Sequence, residues 1–474
     1  MGRSDMAPTS SHIRWAAAAA LSSLVAACAP VGPNYLRPAL QAPAQYRFVE
    51  TATQGESLAD APWWQVFDDA TLQALIREAI AHNLDLRVAV ARLDEARARA
   101  GIARSFLFPQ VDGTASYTLQ QNTNNASEGD EGVRQSGVYG AQLSWELDLF
   151  GRIRREHESA IAVMLATEQA RRGVLVKLVS DVASNYFQIR ELDLELEIAR
   201  RTLQVNDETV TYFKNRLEGG VSSRLELDRT SANRAQTAAA IPDIEQRLAI
   251  VEEALSLLLG RLPGRIDRAP VNADAQAPPP IPPGLPASLL ERRPDVVEAE
   301  QRLVAANADI GAAKALFFPR VSLTGFGGGI SGDLTTVLGA SGGVWTAGAA
   351  LLQPVVQGGR LRYNLEAARA RFNAAIAEYQ QAALNGYREV ANALISIQKL
   401  AEIRQRRAEG VAVLADATDL SRSRYESGLA TYFEILEADQ QLFQQQVLLA
   451  QARGSELQAR ADLYRALGGG WQQP

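Results

Sequence analysis

Apolar residues recur at steps of three and four along two very long stretches of the chain. This spacing is typical of helices that pack side by side as in coiled coils, and the first stretch contains no proline. We therefore predict long helices over residues 152–218 and 360–427, each about 100 Å long. Each long stretch is followed by a glycine-containing turn and a shorter apolar pattern, which predicts return helices over residues 222–259 and 431–467.

Four shorter segments show a different pattern, in which polar and apolar residues alternate. They predict strands over about residues 110–121, 137–149, 320–330 and 343–356, with a polar loop inside each pair. Segments of about ten residues with weak alternation and aromatic residues are typical of transmembrane β-strands, although periodicity alone fits a soluble hairpin equally well. Because an open sheet edge is not tolerated in lipid, membrane-spanning hairpins would require several copies of the chain to pool their strands.

The chain contains an internal duplication of about 200 residues. The phrase "RLDEARARAGIARSFLFPQV" returns as "RLVAANADIGAAKALFFPRV" 210 residues later, and "RLEGGVSSRLELDRTSA" returns as "RYESGLATYFEILEADQ" 208 residues later. The first repeat spans residues 69–276 and the second spans residues 287–467. Residues 277–286 are rich in proline and predict a stiff linker, and residues 468–474 form a C-terminal tail.

The first 27 residues have the features of a secretory signal peptide, since two arginines flank a polar leader and an apolar run follows. The run ends in "LVAAC", which fits a bacterial lipobox, so we expect cleavage before Cys28 and a covalent lipid on its thiol. An ordinary signal peptide followed by an incidental cysteine is the alternative. Cys28 is the only cysteine, which excludes an intramolecular disulfide, and Ala29 in place of aspartate favours the outer membrane. Residues 28–68 then form a lipid-anchored N-terminal segment.

Composition and motifs argue against several other classes of protein. The net charge is −6 and no basic patch stands out, so nucleic acid is not an expected partner. The glycine pattern "GGGISG" lacks the helix and the acidic residue of a dinucleotide site. His157 and Glu158 begin a zinc motif whose second histidine is missing, and the chain has only three histidines. We therefore expect no enzyme activity, no metal site and no cofactor besides the lipid.

Three phrases carry a resemblance to a known family: "CAPVGPNYLRP", "WWQVFDDATLQALIREAIAHNLDLRVAVARL" and "LLERRPDVVEAEQRLVAANADIGAAKALFFPRVSLTG". The chain resembles the TolC/OprM-like superfamily of outer-membrane efflux channels, and within it the NodT-type lipoproteins of RND tripartite systems. The resemblance implies a mainly α-helical homotrimer whose strands form a 12-stranded barrel in the outer membrane. It also implies a periplasmic α-barrel with an equatorial collar, and two partners, a periplasmic adaptor and an inner-membrane RND pump that supplies the energy.

The resemblance places the two glycine turns at the periplasmic end of the channel. It implies that the helical tips contact the adaptor through Gly220, Val221, Ser223, Gly428, Leu429 and Thr431. It also implies an aperture at the second tip, formed by Tyr425, Glu434 and Glu437. In the first repeat Glu226 fits the first acidic position, and Arg229 occupies the second.

The two glutamates of the second tip lie three residues apart, on one face of a helix. Around the axis of a trimer, Glu434 and Glu437 would contribute six carboxylates that attract cations. A solvated helix face is the alternative interpretation of this pair. Ala430 occupies a position where some relatives carry a basic residue that holds the gate shut, so the closed-state contacts of this chain must differ.

The predicted function is therefore a passive exit duct for drugs or toxic compounds, opened at its tip by the adaptor. Two alternatives remain at this point, an exit channel for type I protein secretion and a lipid-anchored coiled coil that bridges the envelope. The chain has only 3 methionines, which gives a copper substrate no support in the composition.

Overall fold

The computed structural model describes residues 30–40, 69–121, 133–269, 292–332 and 343–469. Within these ranges the chain forms seven helices and four strands. The helices are α1 Ala70–His82, α2 Leu84–Ser105, α3 Arg152–Glu218, α4 Arg224–Leu258, α5 Pro294–Ala315, α6 Arg360–Glu426 and α7 Tyr432–Ala466. The strands are β1 Gln110–Gln121, β2 Val133–Leu147, β3 Arg320–Ser331 and β4 Gly343–Leu352.

The long helices α3 and α6 each contain 67 residues, and the return helices α4 and α7 each contain 35. These bounds lie within two residues of the predicted ones, which is the ordinary uncertainty of helix ends. Helix α4 continues through Pro242, although proline cannot donate a backbone hydrogen bond to the preceding turn. Packing of α4 along α3 holds the helix together at this position.

Two strands differ from the sequence prediction. Strand β2 starts at Val133 instead of residue 137, because its pairing with β1 continues to the opposite end, Gln121. Strand β4 ends at Leu352 instead of residue 356, shortly before Pro354, which has no N–H to donate to a neighbouring strand.

The four strands form one antiparallel sheet in the order β1-β2-β3-β4. The central pair β2–β3 joins the two repeats, with Val138 opposite Ile330 and Trp145 opposite Leu323. Within the described residues, β1 and β4 are therefore the two edges of the sheet. The "GGGISG" segment lies at the end of β3.

The chain divides into two compact units that do not coincide with the two sequence repeats. Unit 1 combines the described parts of residues 1–39, 92–167 and 298–379, and includes the sheet. Unit 2 combines the described parts of residues 40–91, 168–297 and 380–474, and includes both glycine turns. The repeats are not separate domains, because elements of each repeat pack against elements of the other.

The main core cluster of unit 2 is built chiefly by helices α1, α3, α4 and α7, with Leu86 of α2 at its edge. Ile76, Ile189, Leu255 and Tyr464 are among its fully buried side chains. Helix α1 is fixed at its start by Asp69, whose carboxylate accepts the N–H of Thr71 at 2.8 Å and the hydroxyl of Tyr186 at 2.8 Å.

In unit 1, residues 30–40 lie across the junction between strand β2 and helix α3. The N–H of Val31 donates to the carbonyl of Phe150 at 3.0 Å, and Asn307 donates to the carbonyl of Pro33 at 3.0 Å. A Cβ at Gly32 would stand 2.5 Å from the Cα of Gly311, so glycine is required at this crossing.

Several predictions concern residues outside the described ranges. They are the signal peptide, the lipid attachment at Cys28, most of the N-terminal segment 28–68, the linker 277–286 and most of the tail. No helix among the described residues is long and apolar enough to cross a membrane.

Candidate functional site

The two turns that end the long helices have the same backbone geometry. Gly220 and Gly428 have φ angles of +75° and +71°, which side-chain-bearing residues rarely adopt. A Cβ at either position would meet nothing within 4 Å, so the requirement for glycine comes from the backbone angle alone. Both turns are Schellman motifs. Their hydrogen bonds run from the N–H of Gly220 to Leu217, of Val221 to Arg216, of Gly428 to Tyr425 and of Leu429 to Arg424.

Both turns expose apolar side chains to solvent. Val221 and Leu429 occupy equivalent positions and are 64% and 71% exposed. One turn further along each return helix, Leu225 and Phe433 are 61% and 52% exposed. Exposed apolar residues that cluster at one place mark an interaction surface. We call these four residues the tip apolar surface.

Helix α4 begins with a capping box formed by Ser223 and Glu226. The carboxylate of Glu226 accepts the N–H of Ser223 at 2.8 Å and the hydroxyl of Ser222 at 2.7 Å, while the Ser223 hydroxyl accepts the N–H of Glu226. These hydrogen bonds, led by the one from the Ser223 backbone, hold the pKa of Glu226 below its usual range. Glu226 therefore has a structural role at the first turn.

The equivalent residue at the second turn, Glu434, takes part in no capping box. Within the described residues, the N-cap Thr431 makes no side-chain capping bond. The Glu434 carboxylate lies 3.7 Å from Nε of Arg424, and both side chains are nearly half exposed. Glu437 is exposed as well, and its carboxylate accepts a hydrogen bond from Gln441 on the same helix at 3.3 Å. The two glutamates are thus available on the surface of α7.

A buried aromatic cluster connects the two repeats next to the turns. It consists of Phe213, Tyr425 and Tyr432, which come from the end of α3, the end of α6 and the start of α7. The ring centroids of Phe213 and Tyr432 are 4.2 Å apart, and Tyr425 lies 6.1 Å from Phe213 and 6.0 Å from Tyr432. Phe213 is 1% exposed. Tyr425, predicted at the aperture, is half-buried in this cluster, and burial raises its pKa.

Arg216 covers the aromatic cluster from the side of the first turn. Its guanidinium lies 6.0 Å from the ring centroid of Tyr425 and donates to the hydroxyl of Tyr212 at 2.9 Å. The hydrogen bond to Tyr212 is the main reason why the pKa of Arg216 is raised. Since Ala430 offers no charge, Arg216 supplies the cation that contacts Tyr425.

The sequence prediction missed the residues that join the turns, namely Phe213, Arg216 and Tyr432. The available signal was the concentration of aromatic residues within two helical turns of both glycines. It also missed Asp439, a half-buried carboxyl on α7 whose pKa is raised by burial and by Asp419, against the opposing effect of Arg422. No group of three or more potential metal ligands occurs among the residues that the structure describes.

Comparison with known proteins gives a consistent match over almost the whole chain. A family described as "Outer membrane efflux protein" matches residues 75–261 and 285–469, one segment in each repeat. The cation efflux system protein CusC of Escherichia coli O6:H1 is 34% identical over 446 residues, covering 94% of this chain and 96% of CusC. The toluene efflux pump outer membrane protein TtgC of Pseudomonas putida is 34% identical over 456 residues, covering 95% and 90%.

Solved structures give the same result. The outer-membrane channel OprN superposes with a TM-score of 0.87 at 32% identity, covering 94% of this chain and 100% of OprN. A crystal structure of CusC superposes with a TM-score of 0.84 at 33% identity, covering 93% and 99%.

Proposed function

The chain belongs to the outer membrane efflux protein family, and we propose that it is the outer-membrane exit duct of a tripartite RND-type pump for drugs or toxic compounds. Members of this family are channels, so the chain is not an enzyme. The observation that carries the proposal is the match of both repeats, at nearly full length, to outer-membrane efflux proteins and to a solved outer-membrane channel.

We propose that three copies assemble into the working channel. The sheet of one protomer has four strands and, within the described residues, two edges at β1 and β4. Unpaired edges are not tolerated in lipid, so the edges of neighbouring copies must pair. Three copies, as the resemblance implies, would give a barrel of 12 strands.

We propose that Cys28 carries the lipid that anchors the chain. Support comes from the position of the residues that follow, since Val31 is hydrogen-bonded to Phe150 directly after strand β2. An acyl chain attached three residues earlier would start close to the strand ends that meet the membrane. More than one acyl chain is needed for stable anchoring, and the membrane strands would add to it.

We propose that the two turns form the adaptor-binding, gated end of the duct. The tip apolar surface supplies contacts for the helical hairpins of the adaptor. The aromatic cluster and Arg216 hold the turns of both repeats together, which favours a closed end in the absence of the adaptor. Glu434 and Glu437 form no capping bonds, and their carboxylates face the passing solutes.

The similarity does not select a class of substrate. CusC belongs to a cation efflux system and TtgC to a toluene efflux pump, yet both are 34% identical to this chain. In pumps of this type the inner-membrane partner selects the substrate, and the exit duct conducts passively.

A deletion strain tests the proposed function. We expect it to become more susceptible to several members of a panel of drugs, dyes, solvents and metal salts, and a plasmid copy of the chain to restore resistance. A strain lacking only the adaptor gene should show the same susceptibility. Unchanged susceptibility across the panel, together with a defect in the export of a protein, would instead favour type I secretion.

A further inference from the structure

The strand register gives the sheet two faces of different character. Because side chains alternate along each strand, residues that pair across strands lie on the same face. One face is mainly apolar and includes Val111, Leu143, Leu323 and Leu351. Most polar side chains lie on the opposite face, among them Asp112, Gln142, Thr324 and Thr346. In a membrane barrel the apolar face meets lipid and the polar face lines the interior, so we call the polar face the lumen face.

Arg320 lies on the lumen face, at the end of the sheet where the helices begin. It is the first residue of β3 and is four positions from Thr324, so the two side chains share a face. Its side chain is exposed and forms no ion pair or hydrogen bond with the part of the chain that the structure describes. The equivalent residue of the first repeat is Gln110, whose amide donates to the carbonyls of Ser105 at 2.8 Å and Phe108 at 3.1 Å. This position therefore supports a turn in the first repeat and presents a cation in the second.

A second arginine at this end of the sheet is neutralised in the first repeat. Arg152 is the first residue of α3, and its guanidinium lies 3.0 Å from the carboxylate of Glu146 and 2.8 Å from that of Glu156. Glu146 is paired with Ser322, which places it on the lumen face. The guanidinium of Arg152 thus reaches the helix end of the lumen face, where two carboxylates surround it.

The second repeat keeps this arginine but has lost both carboxylates. Arg360 starts α6 as Arg152 starts α3, and the glycine before each arginine has a similar φ, +85° and +78°. Pro354 and Asn364 stand at the positions of the two glutamates. Arg360 is exposed, and its guanidinium donates to Oε1 of Gln357 at 3.0 and 2.7 Å. Within the described residues it forms no ion pair, so its charge is not compensated.

The two repeats therefore carry different charges at the same structural position. In the first repeat one arginine and two glutamates give a net charge of −1, and in the second Arg320 and Arg360 give +2. The following arginine of α6, Arg362, is paired with Glu366 at 2.9 Å and adds no net charge. Two uncompensated guanidinium groups on one polar face attract anions, and guanidinium groups bind carboxylates and phosphates with particular strength.

We propose that Arg320 and Arg360 form an anion-attracting site at the helix end of the lumen face, and that this site favours the passage of anionic solutes. The inference rests on the proposed exit duct and its barrel of three copies. With two arginines from each copy, six would surround one end of the lumen. A ring of charged side chains selects solutes by the sign of their charge. The site thus has the opposite preference to the proposed carboxylate ring of Glu434 and Glu437.

Calorimetry with tripolyphosphate tests the site in the full-length protein purified in detergent at low salt. The native protein should bind this anion, and Arg320→Gln with Arg360→Gln should weaken binding by about tenfold or more, because charge-assisted hydrogen bonds are lost. The matched control Arg362→Gln with Glu366→Gln removes an arginine that is already paired and should bind as the native protein does. Spermine, a polycation, should not distinguish the first double variant from the native protein.

A carboxylate restored at the lost position provides a second test that keeps both arginines. Pro354→Glu recreates the environment that Glu146 gives to Arg152, so it should weaken tripolyphosphate binding. Pro354→Gln is the uncharged control and should bind as the native protein does. Gln353 donates to the backbone carbonyl of residue 354, and this contact does not depend on the proline ring.

Reversal potentials in planar bilayers measure the consequence for conduction. Replacement of Arg320 and Arg360 by glutamine should make the channel more selective for cations, the opposite of the change expected when Glu434 and Glu437 are replaced. Pro354→Glu should shift the reversal potential in the same direction as the arginine variants, and Pro354→Gln should not.

The outcomes separate this inference from the function on which it rests. Light scattering establishes that each variant assembles as the native protein does, so that lost binding is not misfolding. A native protein that does not bind tripolyphosphate, or that binds it no better than the arginine variant and Pro354→Glu, would overturn the proposed site and leave the channel intact. A native protein that forms no channels in bilayers would instead contradict the proposed exit duct.

Discussion

At the scale of single residues, the two repeats use equivalent positions for different tasks. Glu226 and Glu434 occupy the same place in their helices, yet only Glu226 forms a capping box, because Ser223 and Ser222 supply the hydroxyls. In the second repeat Ala430 stands in the place of Ser222, and the carboxylate faces solvent and Arg424. Thr431, the equivalent of Ser223, still carries a hydroxyl but makes no capping bond, so the two glutamates differ in the capping bonds that the structure shows.

Substitution of the turn glycines should destabilise the tips through backbone strain alone. Gly428→Ala forces a side-chain-bearing residue to a φ of +71°, with an expected cost of about 1–2 kcal/mol. The measurement is the thermal stability of the purified protein, with protease sensitivity of the turn as a second readout. Gly219→Ala, beside Gly220 but without a positive φ, is the control and should be nearly neutral. Equal effects of the two variants would contradict the backbone argument.

The carboxylates of the second turn should control ion selectivity. We expect the double variant Glu434→Gln with Glu437→Gln to conduct cations less selectively in planar bilayers and to be less sensitive to block by divalent ions. The reason is the loss of two charges per protomer at the proposed aperture. Glu226→Gln removes one charge at the first turn and should affect stability more than selectivity. Unchanged selectivity in the double variant would place the aperture elsewhere.

At the scale of elements, contacts between the repeats decide how the helices pack. The aromatic cluster joins the ends of α3 and α6 to the start of α7, and the ion pairs within each repeat join a long helix to its return helix. A return helix placed against the wrong long helix would bring Glu195 to Glu456, or Arg247 to Arg404. Glu195 and Glu456 are buried, so bringing these two carboxylates together without an arginine would be strongly unfavourable, and the exchanged charges help to specify the correct pairing.

Removal of the central ring of the aromatic cluster should loosen the closed end. Phe213→Ala takes away a buried side chain, a change that costs about 3–5 kcal/mol in protein cores. We expect a larger single-channel conductance without adaptor and greater susceptibility of cells to large antibiotics that native channels exclude. Phe433→Ala, at an exposed ring beside the same turn, should leave the conductance unchanged. A conductance equal to that of the native protein would mean that the cluster does not hold the tip closed.

A half-buried carboxyl between three helices should make stability depend on pH. Glu191 on α3 lies beside Glu195, with Arg247 on α4 and Gly454 and Gln458 on α7 facing it. Burial, and next the charge of Glu195, raise the pKa of Glu191 to about 7, and Arg247 opposes this.

The folded protein therefore binds this proton more tightly than the unfolded chain, and its stability should fall as the pH rises through 7. The effect is at most about 3 kcal/mol. Glu191→Gln should flatten the melting temperature between pH 5 and 8 and raise it at pH 8. The control is Glu197→Gln on the exposed side of α3, which should keep the native pH dependence. The same slope in Glu191→Gln and the native protein would contradict the assignment.

At the scale of the whole molecule, the repeats are the units of sequence but not of folding. Each compact unit contains segments of both repeats. Within the sheet, the two repeats are joined by the pairing of β2 with β3. A single repeat would leave a two-stranded hairpin and one long helix with its return helix. The duplicated chain is therefore the smallest piece that builds one protomer, and further copies are needed for the proposed channel.

Loss of the proposed lipid should separate anchoring from membrane insertion. We expect Cys28→Ala to abolish labelling with radioactive palmitate while the protein remains in the outer-membrane fraction, because the proposed barrel holds it there. Subcellular fractionation and labelling are the measurements, and the native chain is the reference. Persistent labelling would show that another site carries the lipid, and release into the periplasm would show that the strands do not anchor the chain.

Local patterns in the sequence were enough to predict the helices, strands and turns of this protein. The steps of three and four, the alternating segments and the two glycines gave both long helices, the return helices, the four strands and the positions of the turns, because these features depend on local periodicity and backbone angles. The duplication and the family phrases then gave the fold class and the channel function. The place of Glu434 and Glu437 at the aperture comes from the resemblance and stays a prediction.

Which of these elements contact one another could be seen only in the folded chain. Phe213, Arg216 and Tyr432 are ordinary helix residues in the sequence, and they become a cluster with Tyr425 because three helix ends converge. Glu226 could not be told apart from Glu434 until the capping bonds to Ser222 and Ser223 were seen. The two compact units likewise follow from contacts between residues hundreds of positions apart, which no local pattern records.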